Sequence, residues 1–506
     1  MTVRPSPPPA PARTGRRPAA IRPAAVGRTV ARAAAALVLV LMALVIVRLP
    51  WAGDLGLHAA TLQRLRHDLL DPGNPLVAAD TPSPYHSPWM VLLGAVARVT
   101  GLSVFVVLRL AAVAGLTLLV TGVWRYVRTL SAHRATPALA LLSLLLLWGT
   151  TPLLWSGFLG LHSLALTVSY PSTFTLGLAF HFWAWLTGSL RRAAGWGTWL
   201  GLGALWAVIL LCHQFSGVVA TVGACAIVLA ARPGRAVWPR PATGLLLGLV
   251  VLWAWPYYDF FALSGAGAGL GAVHRVLYEN PAARFALLLP GVAALVVRWR
   301  RDRRDPLVLF FVLGVLVVAA GWLGGHYSWG RALPAVVIPA QLAVALEATG
   351  AEHRRVRAGW ACLLAGALAV GGWAQAGTLG YVVPRGALPR AVEDRYRPPW
   401  TGYHWITPWV RYGDVVMAGT GPARRIPAYG PYTVAPGYPD FFLPDEERRT
   451  AVTREYFAAR TPNAVRRAIE REYGVRWVVA GAGALDDAGL RAVARGPGGQ
   501  VLYAVP

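Results

Sequence analysis

Long apolar runs alternate with short basic segments over most of the chain, and this pattern predicts a polytopic membrane protein. A helix needs about 20 mostly apolar residues to cross the hydrocarbon core of a bilayer, and about eleven segments meet that requirement. The least certain boundary divides one long run into two at Cys212–Gly217. The predicted spans are 33–50, 103–123, 136–155, 170–188, 195–212, 215–231, 242–262, 283–299, 306–323, 332–348 and 359–381.

The pattern changes at both ends of this hydrophobic region. The tail 1–32 is rich in Pro, Ala and Arg without any periodicity, which predicts a disordered segment. The membrane domain is predicted to cover 33–384 and to include one long loop, 51–102. From 385 to 506 short apolar strands alternate with helical segments, so we expect a small α/β domain there. Its predicted strands and helices are 413–418, 445–459, 462–473, 475–480 and 500–505.

Composition and charge agree with a membrane protein and also predict on which side of the membrane its termini lie. Only 14% of the residues are charged and 56% are hydrophobic, whereas soluble domains average about 25% charged residues. The formal net charge of +26 comes from Arg alone, because the sequence contains no Lys. Most of these Arg residues lie in the loops on the side of the N-terminal tail. The positive-inside rule therefore predicts a cytoplasmic N-terminus and an extracytoplasmic C-terminal domain. The charge reflects topology, and we expect no nucleic-acid partner.

The titratable residues outside the basic loops gather on the predicted outer side of the membrane. No carboxylate lies near the centre of a predicted span, where ion-coupled carriers usually keep one. In the long loop, a predicted amphipathic surface helix over 55–70 would place Asp54, His58 and Thr61 on one face. A second surface helix is predicted over 87–101. Asp54 precedes the first of these helices, so it could be a catalytic carboxylate or only the N-cap.

Four motifs carry a resemblance to a known family. They are G-D-x-x-x-H at Gly53–His58, the loop ending P-Y-H-S-P-W-M before the second span, Y-P-S at Tyr170–Ser172 and G-H-Y-S-W-G-R at Gly325–Arg331. In these motifs and in its predicted topology the chain resembles the GT-C superfamily of polytopic glycosyltransferases, which use polyprenyl-phosphate-linked sugars. Its C-terminal segment is similar to the tails of actinobacterial arabinofuranosyl- and mannosyltransferase-like members.

The resemblance implies roles for particular residues. Asp54 would be the catalytic base that deprotonates the acceptor hydroxyl, with inversion at the anomeric carbon, and Arg331 with His326 would bind the lipid phosphate. An Arg at a helix end can also simply snorkel to the interface, and an aromatic belt explains the surroundings of Asp259 equally well. The predicted substrate-binding residues are His58, Asp80, His86, Tyr170, Asp259, His326 and Arg331.

The same resemblance defines the expected cofactor and partners. Many members carry paired acids in the first loop, whereas Asp54 stands alone here, so we assign no metal ligands and leave a divalent cation open. The expected function is transfer of a hexose or pentose from a polyprenyl-phosphate donor to a glycan, lipid or protein acceptor of the cell envelope, at the plasma membrane. The alternatives are a transporter or lipid flippase, and a non-catalytic envelope-assembly protein.

Overall fold

The computed structural model describes residues 23–264, 271–485 and 489–506, and helices dominate it. The predicted fold class, a mostly helical membrane protein with a small α/β domain at its C-terminus, is confirmed. The helices α1 to α16, which precede the C-terminal domain, are Pro23–Arg48, Leu55–His67, Pro88–Thr100, Val104–Leu130, Thr136–Leu146, Leu161–Thr167, Pro171–Arg191, Trp196–Cys212, Gln214–Ala231, Pro239–Trp253, Gly271–Arg275, Pro281–Phe285, Leu289–Arg301, Pro306–Leu323, Pro334–Gly350 and Arg354–Ala374.

Eight helices within the described ranges are long and apolar enough to cross a membrane. They are Gly27–Arg48, Val104–Leu130, Gln214–Ala231, Arg235–Trp253, Pro281–Arg301, Pro306–Leu323, Tyr327–Gly350 and Arg354–Ala374. The other predicted spans correspond to α5 and α8, which have 11 and 17 residues, and to α7, which has 21 residues but carries several Ser and Thr. The membrane part therefore combines full-length spans with shorter apolar helices.

Several predicted boundaries are wrong for identifiable reasons. Helix α1 already begins at Pro23, inside the predicted disordered tail, because the segment that follows is rich in Ala, the best helix former; residues 1–22 of that tail lie outside the described part of the chain. Helix α5 ends at Leu146, well before residue 155, because the following turn packs Gly149 against the backbone of Arg284. Helix α10 ends at Trp253, shortly before Pro256.

Helices α2 and α3 occupy the long loop close to their predicted positions. Helix α3 begins after Ser87, whose hydroxyl accepts a bond from the Met90 amide at 3.4 Å, and it ends at the left-handed Gly101. Helix α2 was expected to lie on the membrane surface, but almost all of its residues are buried. One side packs on α3 and the other faces the C-terminal domain, where a Cβ on Gly56 would collide with the carbonyl oxygen of Arg424.

The C-terminal domain contains one mixed sheet in the order β2-β1-β3-β5-β4. Strands β2, β1 and β3 are parallel neighbours, whereas β5 runs antiparallel to both β3 and β4. The strands β1 to β5 are Val415–Ala418, Tyr432–Thr433, Val475–Gly481, Arg491–Gly496 and Gln500–Ala504, and the helices α17 to α20 are Arg390–Glu393, Thr420–Ala423, Glu446–Tyr456 and Asn463–Glu472. The strands and helices predicted in this domain are all present, while β2 and β4 were not predicted.

The long loop and the C-terminal domain are joined by direct contacts. The amide of Thr433 in β2 donates a 2.9 Å hydrogen bond to the carbonyl of Leu76, and Val77 forms a parallel bridge with Thr433. Asn74 donates to a carboxylate oxygen of Asp440 at 2.6 Å. The domain is therefore seated directly on α2 and the loop that follows it, and this contact brings residues more than 350 positions apart in sequence to the same place.

Candidate functional site

Asp54 occupies the N-cap position of α2, but its side chain does not cap the helix. The main-chain carbonyl of Asp54 accepts the amide of His58 at 3.0 Å, whereas the carboxylate receives no capping hydrogen bond. In the described ranges no other side chain or amide donates a hydrogen bond to this carboxylate, and the residue is half-buried. The interpretation of Asp54 as merely a helix cap is therefore not supported, and its carboxylate is free for other chemistry.

Two arginines from different parts of the chain act electrostatically on Asp54. Burial raises the pKa of the Asp54 carboxyl above its ordinary value, while the positive charges of Arg331 and Arg424 lower it. Arg331 follows the break after α14, and Arg424 follows α18 in the C-terminal domain. Burial is the largest of these effects, so the carboxylate is a stronger base than an Asp in water.

Three tyrosines surround the turn that presents Asp54. The Tyr170 hydroxyl donates to the carbonyl of Ala52, and the Tyr438 hydroxyl donates to the carbonyl of Gly53 at 2.6 Å. The charge of Asp54 contributes to the raised pKa of Tyr85, after the larger effect of burial. The backbone at Gly53 has a φ of +47°, a left-handed conformation that Gly adopts without steric cost. These contacts hold the turn on both sides.

Two histidines beside the site are kept neutral by burial. The ring of His58 packs edge-on against Tyr170 with 4.6 Å between centroids, and burial lowers its pKa to about 3. Its Nδ1 atom has no hydrogen-bond partner among the described residues. Burial, followed by the charge of Arg331, also places the pKa of His213 well below its ordinary value. Neither ring supplies a positive charge, so the two arginines are the cations of this site.

Arg331 is buried but only partly satisfied. One terminal nitrogen donates to the hydroxyl of Ser156 at 2.9 Å, while Nε has no partner among the described residues. The guanidinium lies over the rings of Phe215 and Trp155, at 4.6 and 5.0 Å from their centroids. Aromatic faces of this kind stabilise a cation without neutralising its charge. Donor capacity therefore remains for an anionic ligand, and the phosphate-binding role of Arg331 stays a prediction.

The structure brings Asp54, His58, Tyr170 and Arg331 together, as the sequence motifs predicted, but it places the other predicted residues elsewhere. Asp80 is exposed on the loop. Asp259 is exposed and accepts the amides of Phe261 and Ala262, which is a local turn. His326 is exposed and stacks on Trp329 at 5.6 Å. His86 is buried 5.9 Å from the ring of Tyr257. No described contact joins any of these four residues to Asp54.

Sequence reasoning missed four residues of this site. Arg424 and Tyr438 belong to the C-terminal domain, and no motif in the sequence connects them to residue 54. Tyr85 lies inside the P-Y-H-S-P-W-M motif of the long loop, so this motif could have indicated Tyr85 as a residue of the site. His213 lies between the predicted spans 195–212 and 215–231, where its polarity was visible but its partners were not.

The residues around Asp54 do not fit a bound metal ion. Among the described residues no group of three or more His, Cys, Asp or Glu could hold one. A second carboxylate whose charge acts on Tyr85, that of Asp440, already accepts hydrogen bonds from Asn74 and from the amide of Phe442. Arg424 adds no ligand, because a guanidinium is a donor only.

Comparisons with known proteins give matches only at the level of structure. No protein-family profile and no curated protein matches the chain. ArnT from Cupriavidus metallidurans in the apo state is similar at a TM-score of 0.53 and 16% identity, over 95% of this chain and 98% of that one. The arabinofuranosyltransferase AftD from Mycobacteria is similar at a TM-score of 0.57 and 16% identity, over 94% of this chain and 40% of that one. This chain thus spans well under half of AftD. At these identities the likeness is one of fold.

Proposed function

We propose that the protein is a membrane glycosyltransferase that moves a sugar from a polyprenyl-phosphate donor to an acceptor of the cell envelope. The observation that carries the proposal is the carboxylate of Asp54. It is half-buried, receives no hydrogen bond from any described residue, and lies within electrostatic reach of Arg331 and Arg424. A carboxylate is costly to desolvate without a partner, and such arrangements mark functional sites.

The proposed reaction uses Asp54 as the base. A hydroxyl of the acceptor gives its proton to a carboxylate oxygen of Asp54 while the hydroxyl oxygen forms a bond to the anomeric carbon. The bond between that carbon and the phosphate oxygen breaks, and its electron pair stays on the lipid phosphate. The raised pKa of Asp54 suits this task, since proton transfer by a positioned base contributes roughly 10²–10⁴ in rate. The carboxylate also stabilises an oxocarbenium-like transition state.

The two arginines would stabilise the departing phosphate. Arg331 has an unsatisfied Nε and lies among aromatic rings, so it can bind an anion without losing existing partners. Arg424 would add a second positive charge from the C-terminal domain. The C-terminal domain then forms one wall of the active site, and the acceptor would enter along this wall. No step is assigned to a metal ion.

The fold comparison supports this class of function and leaves its details as proposals. AftD is an arabinofuranosyltransferase by name, which favours a pentose donor, although the likeness extends to 40% of that protein. We propose that the site faces the outer side of the plasma membrane, with the N-terminus in the cytoplasm, on the grounds of the Arg distribution. The proposed acceptor is a glycan, lipid or protein of the envelope.

The test compares two aspartates of the same loop in purified protein. Asp54→Asn removes the base, and Asp80→Asn changes an exposed carboxylate that has no contact with the site. Both variants are assayed in lipid nanodiscs with polyprenyl-phosphate-linked arabinose and mannose, with extracted envelope glycans as acceptors. We expect Asp54→Asn to lose about 10²-fold or more of the transfer rate and Asp80→Asn to keep it.

A stability measurement makes the result interpretable. Burial penalises the charged form of Asp54, so Asn at this position should leave the unfolding temperature unchanged or raise it. Transfer by Asp54→Asn at the wild-type rate would refute the assignment of the base. No transfer by the wild-type protein from either donor, together with movement of the intact donor across the bilayer, would instead support the transporter alternative.

A further inference from the structure

A groove lies between α4, α7 and α8, and none of the residues around Asp54 lines it. Its volume is about 440 Å³, and its lining residues are Leu118, Arg125, Leu178, His181, Trp185 and Leu205. The lining is therefore aliphatic and aromatic along most of its length, with two basic residues at one place. Helix α4 is a candidate membrane span of 27 residues, so we expect this groove to face the hydrocarbon region.

Close helix packing holds the basic pair in place. Helices α4 and α7 approach each other at Gly122 and Gly177, where a Cβ on Gly122 would lie 2.7 Å from the carbonyl oxygen of Gly177 and 3.1 Å from Cδ2 of His181. Such small-residue contacts allow two membrane helices to approach closely. The His181 ring consequently lies against α4, next to Arg125.

The hydrogen bonds define the tautomer of His181 and the orientation of Arg125. The Thr121 hydroxyl donates to the carbonyl of Thr117 at 2.7 Å, so it accepts the proton of His181 Nε2, which lies 3.1 Å away. The Nδ1 atom of His181 then accepts from a terminal nitrogen of Arg125 at 3.3 Å. The hydrogen bond to His181 therefore holds the Arg125 guanidinium beside the groove that both residues line.

The positive charge of Arg125 has no counter-charge in the described part of the chain. None of the ion pairs found there includes Arg125, and its only described side-chain partner is the uncharged ring of His181. Arg125 lies five residues before the end of α4, which is about 8 Å along the helix axis and places it near the level of lipid phosphates. An unpaired cation beside an apolar groove is complementary to a lipid with an anionic headgroup.

We propose that this groove is a binding site for one anionic glycerophospholipid. The phosphate accepts hydrogen bonds from the free N–H groups of Arg125, and an acyl chain lies against Leu118, Leu178 and Leu205. Trp185 closes the groove next to α8, where a Cβ on Gly201 would lie 2.7 Å from its ring. The site is separate from the proposed donor site, since its lining includes none of the residues around Asp54.

Lipid retention tests the proposal directly. Wild-type protein, Arg125→Gln and Arg128→Gln are purified from nanodiscs of equal phosphatidylglycerol and phosphatidylcholine, and the lipids that remain bound are counted by native mass spectrometry. Arg128 is the matched control, because it is exposed on the same helix, bonds the carbonyl of Ala132 and does not line the groove. We expect one retained phosphatidylglycerol in wild type and Arg128→Gln, and retention about tenfold weaker in Arg125→Gln.

A second variant keeps the test valid if Arg125→Gln fails to fold. Leu178→Trp keeps the charge of Arg125 but fills the apolar part of the groove, and it should also release the lipid. Equal retention by wild type and Arg125→Gln would overturn the proposal, and so would retention of phosphatidylcholine as strong as that of phosphatidylglycerol. Displacement of the bound phosphatidylglycerol by an equimolar polyprenyl phosphate would show that the groove belongs to the donor lipid instead.

Discussion

Two buried arginines, Arg64 and Arg331, show how differently this protein uses the same side chain. Arg64 lies in α2 at the joint with the C-terminal domain, and its guanidinium donates to the carbonyls of Pro75, Gly430 and Pro431 at 3.4, 2.8 and 2.7 Å. The ring of Tyr432 lies 3.6 Å from it. Among the described residues Arg331 has one hydrogen-bond partner, the hydroxyl of Ser156, and its Nε has none.

The two guanidinium groups differ in how many of their donors the described residues satisfy. Every nitrogen of the Arg64 guanidinium has an acceptor from the protein, so its burial is compensated within the fold. Arg331 keeps unused donors beside a carboxylate that itself lacks a partner. Burial alone therefore does not distinguish the two arginines, whereas the number of unsatisfied donors does.

The largest effect should come from disrupting the contact between α2 and the C-terminal domain. Arg64→Gln removes the hydrogen bonds to three buried carbonyl groups, and we expect a loss of about 3–5 kcal/mol in the free energy of unfolding. The measurement is thermal unfolding of the purified protein together with limited proteolysis between the two domains. Arg66→Gln is the control, since Arg66 is half-buried and bonds a single carbonyl, that of Gly101. If both variants unfolded alike, Arg64 would not be an anchor.

Arg331→Gln should lower the transfer rate without lowering the stability of the protein, the reverse of what we expect for Arg64→Gln. We expect the transfer rate to fall about 10²–10³-fold, as when one fixed donor to a developing negative charge is removed. The unfolding temperature should stay unchanged or rise, because a poorly satisfied buried charge is removed. His326→Gln serves as control, since His326 is exposed and stacked on Trp329. A loss of stability as large as that of Arg64→Gln would remove the distinction between the two arginines.

The comparison also shows which features could be predicted from the sequence. Periodicity and length were sufficient for the approximate positions of the apolar helices, for α2 and α3 and for three of the five strands of the C-terminal domain, β1, β3 and β5. The motif around Asp54 and the one ending at Arg331 led to residues that the structure brings together. Asp259 and His326 looked equally suitable, since a linear pattern does not tell an exposed turn from a cavity. The roles of Arg64 and Arg424 depend on contacts across more than 350 residues, which no local pattern contains.

The pH dependence of transfer tests the environment of Asp54. The base is active when ionised, and burial raises its pKa above the ordinary value near 3.8. Activity should therefore be complete above the raised pKa and fall about tenfold for each pH unit below it. The measurement is the transfer rate under single-turnover conditions from acid to neutral pH. An acid limb centred at or below the ordinary value would show that the carboxylate is not desolvated.

The smallest effect is expected at Arg424, the cation that the C-terminal domain contributes. Its charge lowers the pKa of Asp54, so Arg424→Gln should move the acid limb of the pH profile upwards and slow transfer about three- to tenfold at neutral pH. Arg425→Gln is the matched control, because that neighbouring side chain bonds Thr401 and lies over the rings of Trp400 and Tyr403. An acid limb that moved equally in both variants would mean that the C-terminal domain acts through its overall charge. A shift confined to Arg424→Gln would mean that this domain contributes a specific cation to the active site, as the membrane part does with Arg331.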